Sequence, residues 1–183
     1  GVREPPARVD AGRQQRVAAA VDDVLGARAG DDLVTHREFE RGGRAEVPGE
    51  AVAIIKIPKI DVDLVVVEGT NTESLKKGPG HYSKTAYPWQ DTGRVGIAGH
   101  RTTYGAPFWS LNELREGDRI ALATEYGIFN YRISRIVVTP PDGILPSGDY
   151  VLAPTNHPSL VLTTCNPRFS AAERLVVVAD RVD

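Results

Sequence analysis

The chain has 183 residues, a formal net charge of -2 at pH 7 and 41% hydrophobic residues, which suits one folded globular domain with an extension. A charge this close to neutral gives no footprint for nucleic acid. A single cysteine excludes an internal disulfide framework and any zinc site built on two or more thiolates.

Residues 1–13 are rich in Arg, Pro and Ala and read as a tail. From Gln14 the apolar positions Val17, Val21, Val24 and Leu25 recur at helical spacing, and Gly26 or Gly30 ends the helix. Residues 36–49 are charged and Gly-rich, a linker. The expected organisation is an N-terminal extension over 1–49, with one helix and a linker, followed by a folded domain over 50–183. No run reaches the roughly 18 to 20 apolar residues of a membrane span. The chain contains no methionine, so the expectation is a fragment lacking its own N-terminus, from which any membrane anchor is missing.

In the folded domain, 51–57 and 62–67 have strand character and are joined by Pro58-Lys59-Ile60-Asp61. A helical turn fits 72–77, and the loop Gly78-Pro79-Gly80-His81-Tyr82 follows. Residues 94–99 form a strand that delivers His100 at its C-terminal end, with Gly96, Ala98 and His100 on one face. A helical turn is expected at 108–114, strands at 119–123 and 129–139, and a long Pro- and Gly-rich loop over 140–158. Seven or eight short strands with few helices argue for an all-β barrel or sandwich.

The chain closes on two apolar, β-branched runs, 160–165 and 175–179, separated by Asn166-Pro167 and a loop. A symmetric hairpin with loop 166–173 pairs Cys165 with Arg174, their Cβ atoms roughly 4.5 to 5.5 Å apart on one face. A lone thiol beside a permanent cation, with an imidazole at another strand end, has the parts that thiolate chemistry requires: nucleophile, acid–base group and oxyanion donor. Each residue also has a plainer reading: Cys165 as a small buried hydrophobe, His100 as a satisfied core histidine, Arg174 as a solvated cation or an ion pair with Glu173 or Asp180. Arg168, in the loop, is the rival guanidinium. The four histidines show no spacing suited to metal.

The stretch Ile97-Ala-Gly-His100-Arg101, then Leu162-Thr-Thr-Cys165, then Arg174, resembles the signature of the sortases, the cysteine transpeptidases of Gram-positive cell walls. Gly80-His81-Tyr82, the segment from Gly99 to Phe108 and Cys165-Asn-Pro-Arg-Phe-Ser are most similar to class E, the housekeeping type of actinobacteria. The resemblance implies an all-β closed eight-stranded barrel with short helices and an N-terminal helical extension. It implies His100, Cys165 and Arg174 as the catalytic set, with no cofactor and no metal. It implies Tyr82, Thr164 and Tyr104 at the substrate, Tyr82 favouring Ala over Pro in an LAXTG-type signal and Thr164 lending a donor to the oxyanion hole. The implied partners are sorting-signal peptides of secreted proteins and a peptidoglycan stem-peptide amine of lipid II, with no nucleic acid. The implied place is the outer face of the cell membrane, reached through an N-terminal anchor not contained in this chain.

The groove walls are expected from residues 78–87, 104–109 and 139–158, and the segment before Ala51 is a candidate lid. Two other readings compete: an L,D-transpeptidase or other cell-wall cysteine peptidase, although Leu-Thr-Thr-Cys stands where Ser-x-Gly-Cys would, and a non-catalytic barrel that binds wall peptides.

Overall fold

The computed structural model describes residues 48–144 and 152–182. Of the expected extension over 1–49, residues 1–47, with the expected helix, lie outside the described residues, as does that part of the candidate lid before Ala51. The same is true of 145–151, within the expected loop at 140–158.

The chain begins with β1 (Ala51–Ile57) and β2 (Val62–Glu68), an antiparallel hairpin in which Ile57 faces Val62. A 3-10 turn at Pro58–Ile60 joins them and ends at Asp61 with φ +54°, a left-handed conformation that a short polar side chain tolerates. A single helical turn, α1 (Thr72–Leu75), is capped by the Asn71 side chain, which accepts from the Ser74 N–H at 2.9 Å. Then come β3 (Gly80–His81), β4 (Arg94–Ala98), β5 (Arg119–Thr124), β6 (Gly127–Thr139), β7 (Ser159–Asn166) and β8 (Glu173–Arg181).

The eight strands among the described residues close into a barrel in the order β1-β2-β3-β4-β7-β8-β6-β5, and β5 pairs back on β1. Closure leaves no open edge to recruit another strand. The 13-residue β6 makes it possible: Gly127 to Arg132 pair with β5, Tyr131 to Thr139 pair with β8, and the register shifts between Ile133 and Arg135. The extra residue bends the strand from one neighbour to the other.

Two differences from the sequence reading have local causes. Gly80 and His81 form a strand rather than a loop, because β2 pairs with them in parallel and β4 antiparallel. The helical turn expected at 108–114 is a 3-10 turn at Leu111–Glu113.

Strand alternation divides β7 and β8 into two faces. Leu160, Leu162, Leu175, Val177 and Ala179 point into the barrel and join its main core with Val95, Ile97 and Phe108. Val161, Val176 and Val178 point outward into a second cluster with Leu152, Tyr82, Val137 and Ile144. By the same alternation Thr163, Cys165 and Arg174 belong to the outward face. The candidate chemistry therefore sits on the outside of the barrel wall, under a partial cover of loops.

Candidate active site

Cys165 faces Arg174 and Asn166 faces Glu173 at the loop end of the β7–β8 hairpin, the register that the symmetric loop predicts. The Asn166 amide donates to the Glu173 carboxylate at 2.9 Å, which clamps the last rung. Cys165 is half-buried and makes no disulfide. Arg174 is half-buried as well. Its Nη1 donates to the carbonyls of Ala171 and Glu173 at 3.0 and 2.9 Å, so the hairpin's own loop holds the guanidinium. The remaining N–H groups of the fork make no bond among the described residues and can serve an incoming oxyanion.

His100 arrives from β4, which runs parallel to β7 with Ala98 opposite Thr163. Two further bonds extend that register: the Gly99 N–H donates to the Thr163 carbonyl at 3.0 Å, and the Thr164 hydroxyl donates to the Gly99 carbonyl at 2.7 Å. The ladder ends at Ala98 and Thr163, and His100 and Cys165 each stand two residues further along their chains. Burial pushes the imidazole below its ordinary value, because an apolar setting disfavours imidazolium. The His100 ring lies 5.0 Å from that of Tyr104, centroid to centroid. Tyr104 is exposed, with φ +50°, on the loop leaving His100.

Tyr82 is anchored on the same outer face. Its hydroxyl and that of Thr163 lie 2.9 Å apart, and its ring crosses Gly96, where a Cβ would meet Tyr82 Cδ2 at 2.9 Å and Leu152 Cδ2 at 2.8 Å. Only glycine leaves room for that ring on β4. Burial raises the Tyr82 phenol; the Thr163 bond and the Arg174 charge act against it, and Cys165 adds to the rise. Tyr82 therefore stays neutral within the electrostatic reach of both Cys165 and Arg174.

Of the two donors expected of Thr164, hydroxyl or backbone, the hydroxyl is engaged within the fold. The residue is 2% exposed, alternates onto the inner face, and its hydroxyl proton is committed to the Gly99 carbonyl. It locks β7 to the strand carrying His100 instead of offering its hydroxyl to an oxyanion. Arg168 is also committed elsewhere. Its guanidinium stacks 4.4 Å from the Trp109 ring centroid and donates to the Trp109 carbonyl and the Asn112 side chain.

Two features went unread in the sequence. Arg101 is 4% exposed and donates to the carbonyls of Trp109 and Cys165 and to the Asn112 side chain. His81 is fully buried, with Nδ1 2.9 Å from the Glu68 carboxylate and Nε2 2.9 Å from the Ala86 carbonyl. Burial alone raises the Glu68 carboxyl; hydrogen bonds from His81, Ser83 and Tyr87 and the His81 charge outweigh it and hold the carboxyl below its ordinary value. The pair fixes the start of the loop that carries Tyr82. His157 lies apart, 3.3 Å from Asp180, and no group of three His, Cys, Asp or Glu among the described residues is gathered to hold a metal.

Comparison with known proteins adds an independent line. Residues 55–182 match the model of the Sortase domain family. The chain is 35% identical to Sortase SrtE1 of Streptomyces coelicolor over 74% of its own length and 42% of that protein's. It is 36% identical to Sortase D of Bacillus subtilis over 73% of its own length and 65% of that protein's. It thus spans less than two thirds of either curated relative. The crystal structure of Sortase E1 from Streptomyces coelicolor with a tripeptide in the active site superposes with a TM-score of 0.64 and 34% identity, covering 76% of this chain and 92% of that one.

Proposed function

The chain belongs to the sortase family, and from that premise we propose that it is a cysteine transpeptidase joining secreted proteins to the cell wall. The observation that carries the reading is the rung Cys165–Arg174, beside a parallel strand whose register leads to His100. Thiol, guanidinium and imidazole come from three places in the chain, and their meeting at one end of the barrel is part of the proposal.

In the proposed reaction the Cys165 thiolate attacks the threonine carbonyl carbon of a Thr-Gly bond in an LAXTG-type sorting signal. Arg174 donates to the oxyanion of the tetrahedral intermediate. Collapse breaks the C–N bond, His100 gives a proton to the departing glycine amine, and a thioester remains on Cys165. An amine of a peptidoglycan stem peptide then attacks the thioester. His100 takes its proton, and Cys165 leaves as thiolate. The cycle consumes one amide and forms one, so it needs no oxidant, metal or cofactor.

Tyr82 and Tyr104 are the proposed walls of the peptide groove, the first over β7 and the second beside His100. Tyr82 supports a class E preference for alanine after the leucine of the signal. Sortase E1 and Sortase D are about equally similar to this chain, so that preference rests on Tyr82. The proposed place of work is the cell surface, as for the family. No helix among the described residues is long and apolar enough to cross a membrane.

The test is incubation with an LAXTG peptide and a peptidoglycan stem peptide bearing a free diaminopimelate or glycine amine, followed by mass spectrometry. A new amide between threonine and the added amine is expected. Hydrolysis of stem peptide alone, with the sorting peptide untouched, would replace this reading with that of a wall peptidase.

A further inference from the structure

Arg101 follows His100 directly in the chain, yet its guanidinium ends on the residue that carries the thiol. Nη1 donates to the Cys165 carbonyl at 3.1 Å, Nε to the Trp109 carbonyl at 3.0 Å and Nη2 to the Asn112 side-chain oxygen at 2.8 Å. The segment that supplies the last two acceptors is itself tied back to His100, whose carbonyl accepts from the Phe108 N–H at 3.1 Å. A closed circuit results: His100, Arg101, the Cys165 carbonyl, and the 108–112 segment returning to His100. At 4% exposure the guanidinium has all three edges of its fork occupied, a geometry suited to Arg and not to a point charge such as Lys.

The geometry points to Arg101 as the positioning residue that sets the distance between His100 and Cys165. It rests on the proposed roles of those two residues and adds what makes them a pair. Arg101 touches neither substrate nor sulfur through a hydrogen bond; it acts through the backbone on either side. Cys165 and Arg101 also sense each other electrostatically: burial and then the Arg168 charge push the guanidinium down, and Cys165 pushes it up. Arg168 supplies an internal control, because it shares the Trp109 and Asn112 acceptors with Arg101 but has no bond to Cys165. A displacement of about 1 Å between reacting groups can lower a rate by up to about 100-fold, so a single lost tether has a measurable effect.

The experiment is a double-mutant cycle on the rate of Cys165 alkylation by iodoacetamide, measured on folded protein, alongside kcat and KM for cleavage of an LAXTG peptide. In the unmodified background His100→Ala is expected to slow alkylation about tenfold, and in the Arg101→Gln background less than about twofold, because the coupling has gone. Arg101→Gln is expected to lower kcat at least tenfold with KM within about twofold, whereas Arg168→Gln lowers kcat no more than about threefold. Should Arg101→Gln not fold, Arg101→Lys and Asn112→Ala give the same readout with a partial loss of coupling, since each leaves part of the circuit intact.

A full His100 effect retained in every Arg101 and Asn112 variant would overturn the proposal while leaving the functional reading in place. An Arg168→Gln effect equal to that of Arg101→Gln would do the same, reducing Arg101 to general support of the loop. Absence of any His100 effect on alkylation in the unmodified background would overturn the proposal, and absence of any His100 effect on kcat as well would overturn both readings together.

Discussion

At the scale of single residues, the outward face of β7 carries the account. Replacing Cys165 by Ala is expected to abolish transfer, and the fold should persist because the side chain is only half-buried. Arg174→Lys tests the fork. Nη1 already holds two loop carbonyls, and one ammonium cannot both hold them and reach an oxyanion. A loss of about 10² to 10³ in kcat is expected, the scale of a lost oxyanion donor; a Lys variant within threefold of the parent would remove Arg174 from that role. His100 provides the pH test. Burial disfavours its imidazolium, so the ring stays neutral to lower pH than a free histidine does. The active pair holds one proton, and its acid limb reports a second proton arriving. The acid limb of the kcat/KM profile is therefore expected to have its midpoint below about 6.5, the unperturbed histidine value. A midpoint at or above that value would place His100 in a more polar setting than the fold provides.

At the scale of elements, the loop from β3 to β4 is the piece that must be both anchored and open. Glu68 and His81 anchor it at 2.9 Å, each 1% exposed at the side chain. Glu68→Ala leaves a buried ring without its charged partner and is expected to lower the unfolding free energy by about 3 to 5 kcal/mol. The Glu68 carboxyl is held below its ordinary 4.5 in the fold. Its contribution is complete above that value and is lost as pH falls through the lower, folded one. The stability gap between the parent and Glu68→Gln, read by urea unfolding at several pH values, is therefore expected to narrow as pH drops below about 4.5. A gap that widens with acid would reverse the assignment. Gly96→Ala tests the open side: the new Cβ meets the Tyr82 and Leu152 side chains, so KM for the sorting peptide should rise while the barrel remains folded.

These elements also show what the sequence made legible. The hairpin register was readable because Asn166-Pro167 stops one strand and the apolar run from Leu175 restarts the other, leaving a symmetric loop whose rungs the structure reproduces. The face of β4 bearing Gly96 and Ala98 was readable from strand alternation alone. β3 was not, since two residues after Gly-Pro become a strand only through partners on β2 and β4. Arg101 was hidden for the same reason. Its three acceptors lie 8, 11 and 64 residues away, and a cation in a polar loop reads locally as solvated. The Thr164 hydroxyl was readable only through parity: next to an outward cysteine, its side chain points inward and bonds the Gly99 carbonyl.

At the scale of the whole molecule, the described strands form a closed barrel with the proposed chemistry on its outer face. Its interior is packed by fully buried residues such as Leu162 and Val177, on the strands that carry Thr163, Cys165 and Arg174 on the other side. Leu162→Ala is expected to lower stability by about 2 to 5 kcal/mol, whereas Val138→Ala, at a position 53% exposed, should change it by less than about 0.5 kcal/mol; thermal melts of the two separate inside from outside. Because one wall serves both faces, the proposed catalytic rung shares its strands with the packed core without being buried in it. The central claim is that this rung forms an acyl bond through Cys165. The most direct measurement is mass spectrometry of the protein quenched during turnover of an LAXTG peptide. The account predicts an added mass equal to the peptide through threonine, mapped to Cys165 and discharged by an added amine. Turnover with Cys165 unmodified, or with the acyl group on another residue, would contradict it.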